Sequence, residues 1–179
     1  MNSSPTSLRR LGPADAAAFK TLRLEGFALQ PGEFRYAPED EAEMPLAEVE
    51  ARLARDFVVG AFCGGALVGV AGLQRCAGVK IRHKALLWGM YLRGEFRGSG
   101  AADAMMAALL AEARRSVEIV TLTVISDNAR ALRFYRRWGF AAYGVEPAAV
   151  KRDGGYFDET AMMLRFSDDQ FRQGAPTRK

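Results

Sequence analysis

The chain has 179 residues, of which 49% are hydrophobic and 26% charged, a balance typical of one globular domain. We predict that this domain covers residues 1–166 and that residues 167–179 form a frayed tail. It contains no run of eighteen apolar residues and no leader-like N-terminus, so we expect a cytoplasmic protein without a membrane span. With one histidine, two cysteines and a net charge of +4 scattered along the sequence, we expect neither a metal site nor a nucleic-acid partner.

The first elements in chain order are a short strand and two helices. Residues 7–11 are predicted as the strand and residues 14–24 as the first helix, because Pro13 is tolerated in a first helical turn. Residues 30–45 contain three prolines and a cluster of acids, so we expect an irregular connection there. A second helix is predicted over residues 46–55, where apolar residues recur at helical spacing.

Three strands and a long helix follow. Residues 57–62 and 67–70 are separated by a Gly-Gly pair, which indicates a hairpin. A third strand over residues 85–92 leads through a glycine-rich loop into a helix over residues 101–115. This helix is apolar on nearly every side, and we therefore expect it to be buried against a sheet.

The last elements are a strand over residues 118–124, a helix over residues 128–138, and two strands over residues 140–145 and 156–166 around a polar loop. The complete order is strand, two helices, three strands, helix, strand, helix and two strands. It predicts a mixed α/β fold with a central, mostly antiparallel sheet of six to seven strands and about four helices packed on both faces.

The loop before the long helix has the composition of a phosphate site. Gly98 and Gly100 let the backbone approach a ligand closely, and a helix start offers unpaired N–H groups and the positive end of the helix dipole. The loop lacks the Gly-Lys-Ser/Thr ending of a P-loop, and Asp103 stands where the dinucleotide fingerprint needs its third glycine. A glycine-rich turn that merely enters a buried helix would give the same pattern. The loop residues are Arg97, Gly98, Ser99, Gly100, Ala101 and Ala102.

A second motif follows at the next strand–helix junction. The pattern Arg97-x-x-Gly100-x-Ala102, then Asn128-x-x-Ala131-x-x-x-Tyr135-x-x-x-Gly139-Phe140, resembles the GNAT superfamily of acyl-CoA N-acyltransferases. The resemblance covers residues 58–164, and both motifs have the family's order and separation. A glycine at position 94, where many members have proline, is a minor departure.

The resemblance implies a role for each motif. The loop amides are expected to bind the pyrophosphate of coenzyme A, and the strand residues Met90, Tyr91 and Leu92 to pair with its pantetheine arm. Asn128 is expected to hydrogen-bond that arm, and Tyr135 to be the general acid that protonates the departing thiolate. From residue type alone, Asn128 could equally cap its helix, and Tyr135 could simply pack in the core.

Many relatives place a glutamate on the central strand to deprotonate the amine, but residues 85–92 contain no carboxylate. His83, Glu33 and a chain of waters remain as candidates for the base, and we assign none. The resemblance places the acceptor site under residues 27–40 and 145–159. Candidate acceptor contacts there are Glu33, Tyr36, Tyr156 and Asp158. The charged composition of these segments is equally typical of solvent-exposed loops that bind nothing.

The favoured interpretation is an N-acetyltransferase that moves an acetyl group from acetyl-CoA to a primary amine by direct attack. The acceptor is a small molecule, an amino acid, or a peptide or protein amine. The alternative is a catalytically weak GNAT-fold module that binds acyl-CoA and acts as a sensor, which the missing strand carboxylate would favour. The resemblance is also compatible with a homodimer.

Overall fold

The computed structural model describes residues 6–166, which form a seven-stranded sheet with helices on both faces. The strands are β1 Ser7–Arg10, β2 Phe57–Cys63, β3 Ala66–Arg75, β4 Lys84–Leu92, β5 Ile119–Ile125, β6 Ala141–Arg152 and β7 Gly155–Arg165. They lie in the order β1-β2-β3-β4-β5-β7-β6. β4 and β5 are parallel, whereas the other neighbouring pairs of described strands are antiparallel. The predicted mixed α/β fold is therefore confirmed.

Residues 6–166 contain five α-helices, one more than the sequence predicts. They are α1 Ala16–Leu29, α2 Pro38–Ala42, α3 Leu46–Arg55, α4 Ala101–Ser116 and α5 Ala129–Arg137. Within residues 6–166, none of these helices is long and apolar enough to cross a membrane. The predicted tail over residues 167–179 lies outside the described residues.

Two cores lie on opposite faces of the sheet. Successive strand residues point to opposite faces, so Val70 packs under α1 and α3 with Phe19, while its neighbour Ala71 packs under α4 with Met105. The apolar character of α4 predicts its burial correctly, because its inward-facing side chains are almost fully enclosed. The parallel strands β4 and β5 lie between these two cores at the centre of the sheet.

The helix α2 corrects the expectation that residues 30–45 are irregular. Pro38 occupies its first turn, and the Asp40 carboxylate accepts a hydrogen bond from the Ala37 N–H at 2.7 Å. The buried Glu41 carboxylate accepts two hydrogen bonds from Arg23 of α1, at 2.8 and 3.1 Å. A tertiary contact, rather than a long apolar repeat, therefore fixes this five-residue helix.

The prediction of a long polar loop between the last two strands is wrong, because β6 and β7 form one long hairpin with a short turn. Only Asp153 and Gly154 separate the strands, with φ of 50° and 78°, the left-handed values that a tight two-residue turn requires. Pro147 obscures the strand in the sequence, but β6 is the edge of the sheet, where a missing N–H is tolerated.

Candidate active site

The candidate site lies where β4 and β5 separate. The two strands pair only from residues 84–86 to residues 119–121, although both continue several residues further. Strands that diverge no longer satisfy each other's N–H and C=O groups, so the walls of the opening offer backbone hydrogen-bonding groups to a ligand. A cavity of about 610 Å³ fills the opening, within the size range of small-molecule sites.

A bulge in β4 shapes one wall of this cavity. Gly89 and Met90 together face the single residue Ala71 of β3. Gly89 has φ of 64°, and a Cβ at this position would lie 2.5 Å from Nη1 of Arg23. The bulge therefore requires glycine for its backbone conformation and for the close approach of Arg23.

The glycine-rich loop closes one end of the cavity. Gly98 and Gly100 have φ of 76° and 87°, and apart from adjacent residues no described atom lies within 4 Å of where a Cβ of either would sit. The Ser99 hydroxyl donates to the Phe96 carbonyl at 2.6 Å and accepts from the Ala101 N–H at 3.3 Å. Ser99 thus holds the turn, while the amides of both glycines have no acceptor within residues 6–166 and lie at the start of α4.

Basic side chains surround this end of the cavity. Arg97 and Arg133 line it and have no ion-pair partner among the described residues. Arg137 also lines it, and donates at 2.6 Å to Asp103, which in addition accepts from Nε1 of Trp138 at 2.9 Å. A helix start, two unpaired guanidinium groups and open backbone amides suit an anion such as a phosphate.

Asn128 caps α5 and also lines the cavity. Its Oδ1 accepts from the Ala131 N–H at 3.0 Å, which is the helix-capping role that the residue type suggests. An asparagine amide carries two N–H donors in addition to this acceptor. The capping role therefore leaves donors that can reach a ligand.

The Tyr135 side chain is buried against the cavity wall. Its hydroxyl lies 3.8 Å from Sδ of Met90, and its ring packs edge-on against Phe134 and Phe140. Burial raises the pKa of Tyr135 well above its usual range, because the phenolate would lose its solvation. The hydroxyl is thus held in its protonated form.

Tyr91 lines the cavity, but its hydroxyl is bound to a group outside the cavity lining. That hydroxyl donates to Glu25 of α1 at 3.1 Å, and Arg93 donates to the same carboxylate at 2.7 and 2.8 Å. The hydrogen bonds from Arg93 lower the pKa of Glu25, whereas burial, followed by the bond to Glu25, raises the pKa of Tyr91. This cluster fixes the end of β4 against α1.

The connection between α1 and α2 closes the opposite end of the cavity. Glu33 accepts from Nη2 of Arg130 on α5 at 2.7 and 2.5 Å, and both residues line the cavity together with Phe34 and Trp88. The resulting end combines an ion pair with aromatic surface. It lies across the strand opening from the glycine-rich loop.

Residues 23–140 match the Acetyltransferase (GNAT) family, a region that includes β4, both motifs and most of the cavity. The chain belongs to the GNAT acetyltransferase family. No curated protein matches the chain. The match confirms the resemblance read from the two motifs.

Solved structures share this GNAT fold along their whole length. A GNAT-family acetyltransferase from Streptococcus pneumoniae is 19% identical, with a TM-score of 0.81, and the match covers 90% of this chain and 100% of that one. The yncA protein of Salmonella typhimurium, solved with its cofactor acetyl-CoA, is 22% identical, with a TM-score of 0.76 and coverage of 98% and 100%. A ribosomal-protein-alanine N-acetyltransferase from Brucella melitensis is 22% identical, with a TM-score of 0.73 and coverage of 89% and 99%.

Most of the residues predicted for the donor site lie together in this GNAT domain. Ser99 and Ala101 belong to the same loop without lining the cavity itself. Their roles toward coenzyme A stay a prediction. The predicted residues that line the cavity are Met90, Tyr91, Leu92, Arg97, Gly98, Gly100, Ala102, Asn128 and Tyr135.

The residues predicted for the acceptor site are more dispersed. Glu33 lines the cavity, whereas Tyr36 and Tyr156 are 58% and 64% exposed and do not line it. The Asp158 carboxylate accepts from the Ala148 N–H at 2.8 Å and so stabilises the β6–β7 hairpin. His83, one of the candidate bases, lies at the opposite end of the sheet, beside the start of β5.

Several residues that line the cavity were not predicted from the sequence. Arg130, Arg133 and Arg137 recur at intervals of three and four on α5, so they share one helical face with Phe134. That spacing would have indicated their common orientation once Asn128 was placed at the start of the helix. Trp88 carried no such signal, because a tryptophan within an apolar strand is equally typical of the core.

Proposed function

We propose that this GNAT protein is a cytoplasmic N-acetyltransferase that transfers the acetyl group of acetyl-CoA to a primary amine. The observation that carries the proposal is one continuous cavity that joins the open amides of the glycine-rich loop to the buried Tyr135 hydroxyl. The comparisons support acetyl-CoA as the donor, since one solved relative contains it.

The donor is proposed to lie in the strand opening with its pyrophosphate at Gly98 and Gly100. Backbone amides and the positive end of α4 would bind the phosphate oxygens, while Arg97 and Arg133 would add charge at the rim. The pantetheine arm would pass between β4 and β5, where the diverging edges leave backbone groups available. Asn128 would donate an amide N–H to the arm while its oxygen keeps capping α5.

The proposed reaction is a direct attack by the neutral amine on the thioester carbon. The new C–N bond forms, the C–S bond breaks, and the amine nitrogen releases one proton to solvent water. The departing thiolate takes a proton from Tyr135, which regains one from solvent. Since burial keeps the Tyr135 hydroxyl protonated, this group can act as the acid throughout the physiological pH range.

The acceptor is proposed to enter at the end lined by Glu33, Phe34 and Trp88. The Glu33 carboxylate would attract the amino group, and its hydrogen bonds to Arg130 would fix its position. We therefore propose a primary amine of a small molecule, an amino acid or a protein. A catalytically weak sensor is not favoured by the family match, and a homodimer stays a prediction from the resemblance alone.

Titration calorimetry with acetyl-CoA is the first test, with adenosine as the control ligand. We expect saturable binding of acetyl-CoA and no comparable binding of adenosine, because the loop recognises the pyrophosphate. Gly100→Glu should abolish binding by placing a negative charge at the phosphate. Gly100→Ala, which introduces the same backbone strain without the charge, should retain part of it.

Transfer itself is tested by thiol release from acetyl-CoA across a panel of primary amines. Amine-dependent release that is lost in Gly100→Glu would support the enzyme. Tight binding of acetyl-CoA without release from any class of amine would favour the sensor. Folded protein that does not bind millimolar acetyl-CoA would overturn both.

A further inference from the structure

A second cavity, of about 640 Å³, lies at the end of the sheet opposite the strand opening. It is formed where β4 and β5 begin, beside the end of β3, the end of α4 and the end of β7. β4 has nine residues, which corresponds to roughly 26–30 Å between the two ends. This cavity is therefore separate from the candidate active site.

The walls of this cavity are strongly basic. Arg75, Arg82, Arg114 and Arg115 line it together with His83, against the single lining carboxylate of Glu118. Arg75 and Arg82 come from the end of β3 and the connection after it, and Arg114 and Arg115 from the end of α4, so the fold brings two separate segments together. We call this surface the basic end.

The strand register extends the basic end beyond the cavity. Lys84 pairs with Ile119, and Ile119 pairs with Arg165, so these two basic residues share one row across the sheet. Arg75 pairs with Ala85, next to Lys84 in the sequence. The positive charge thus spans three strands rather than one loop.

Of the four arginines that line the cavity, two are engaged by neighbouring groups and two have no carboxylate partner within residues 6–166. Arg115 donates to Glu112, and the Arg114 guanidinium lies over the ring of Phe166 at 5.4 Å. Arg75 and Arg82 are exposed and have no ion-pair partner within residues 6–166. Two guanidinium groups at the cavity rim are therefore available to a carboxylate or phosphate.

Exposed apolar side chains border the same charges. Val79 is 81% exposed and Ile81 is 45% exposed, both in the connection from β3 to β4 that also carries Arg82. An apolar contact beside unpaired arginines is a combination typical of protein–protein interfaces. Surfaces that bind single-stranded nucleic acid instead add uncovered aromatic rings on which bases stack, and here the Phe166 ring is covered by Arg114.

We propose that the basic end is a docking surface for an acidic segment of a partner protein, in which carboxylates alternate with an apolar residue. The carboxylates bind Arg75 and Arg82, and the apolar residue packs on Val79 and Ile81. This surface does not depend on the proposed acetyl transfer. A partner held here leaves the strand opening accessible at the far end of the sheet.

The test is fluorescence anisotropy of the full chain with a labelled synthetic peptide of repeated glutamate-glutamate-leucine. A peptide with glutamines in place of the glutamates is the charge control. We expect the affinity for the peptide to fall about tenfold in Arg75→Gln/Arg82→Gln. The affinity of the unchanged protein should fall by a similar factor when salt rises from 0.05 to 0.5 M. Val79→Ser/Ile81→Ser should weaken binding several-fold while leaving its salt dependence unchanged.

A charge-matched control is Arg136→Gln/Lys151→Gln, which removes two exposed positive charges, on α5 and β6, away from the basic end. Equal loss of affinity in this variant would overturn the proposal, since net charge alone would then explain binding. Stronger, Arg75- and Arg82-dependent binding of a single-stranded oligonucleotide would overturn it in favour of nucleic acid.

Asp168 and Asp169 follow closely after Phe166 in the sequence, and they supply a third control. Asp168→Asn/Asp169→Asn should leave the affinity for the peptide within about twofold. A tenfold gain would overturn the proposal, because the chain's own carboxylates would then be the occupant.

Discussion

The phenol of Tyr135 is the single side chain on which the proposed chemistry depends most directly. It is buried, its hydroxyl lies 3.8 Å from Sδ of Met90, and its ring packs against Phe134 and Phe140. The aromatic contacts place the ring, whereas the hydroxyl faces a thioether that is only a weak acceptor. The hydroxyl therefore contributes little to packing and is available to a ligand.

Replacing that hydroxyl tests its role directly. We expect Tyr135→Phe to lower kcat by about 10- to 1000-fold, the range for loss of one general acid, with the Kd for acetyl-CoA nearly unchanged. The measurement is thiol release with the best amine, alongside calorimetry with acetyl-CoA. Phe134→Leu is the packing control, and an unchanged kcat in Tyr135→Phe would remove Tyr135 from the mechanism.

The pH dependence follows from the direction of the pKa shift of Tyr135. Burial raises this pKa above the ordinary value of about 10, so the acid stays protonated as pH rises through the physiological range and beyond. We expect kcat to show no alkaline decline between about pH 7 and pH 9.5. A decline with an apparent pKa near 8 that disappears in Tyr135→Phe would contradict the assignment.

At the scale of elements, α2 is attached to α1 by a buried ion pair. The Arg23 and Glu41 side chains are only 6% and 4% exposed, and the Arg23 guanidinium also lies over the rings of Phe27 and Trp88. An Arg23 nitrogen approaches the Gly89 bulge of β4. The pair thus links a short helix, the bulge and one wall of the active-site cavity.

Breaking this pair should be costly, because it leaves a buried charge unpaired. We expect Glu41→Ala to lower the free energy of unfolding by about 3–5 kcal/mol, measured by urea denaturation. The control is Glu39→Ala on the exposed side of α2, which should change the stability by less than about 0.5 kcal/mol. Equal effects of the two variants would show that Arg23 does not depend on Glu41.

These elements also show what the sequence could and could not predict. The strand–loop–helix unit around Gly100 was predictable, since glycines, apolar strands and an apolar helix are local signals. α2 was not, because its five residues are stabilised by Arg23, eighteen positions earlier. The length of β6 was hidden by Pro147, which only an edge position permits.

The same distinction applies to the candidate site. Tyr135 and Asn128 were predictable because they belong to a motif with fixed spacing. Glu33 and Arg130 meet across 97 positions, so their pairing depends on the fold, and the sequence predicted a role for Glu33 alone. Tyr156 was placed in the acceptor region, but it lies at the start of β7, is exposed and does not line the cavity.

At the scale of the whole molecule, the sheet divides at the strand opening into two halves, and the connection after α1 bridges them. Glu33 binds Arg130 of α5, and Arg35 donates at 2.6 Å to the buried Glu159 of β7. Arg152 of β6 also donates to the Pro31 carbonyl at 3.2 Å. We call residues 30–36 the bridge, because this segment follows α1 on one half of the sheet and is bound by α5, β6 and β7 on the other half.

Because β7 holds the bridge through Glu159, we expect this contact to restrict motion at the acceptor end of the cavity. Arg35→Ala should speed hydrogen exchange of the bridge amides by about tenfold or more, because it removes a charged contact to buried Glu159. The matched control is Arg55→Ala, which breaks a similar pair between an exposed arginine and the buried Asp56 on the other half. That variant should leave exchange in the bridge unchanged. If Arg35→Ala affected exchange no more than Arg55→Ala does, the two halves would be coupled through the sheet instead, and the acceptor end would not depend on this connection.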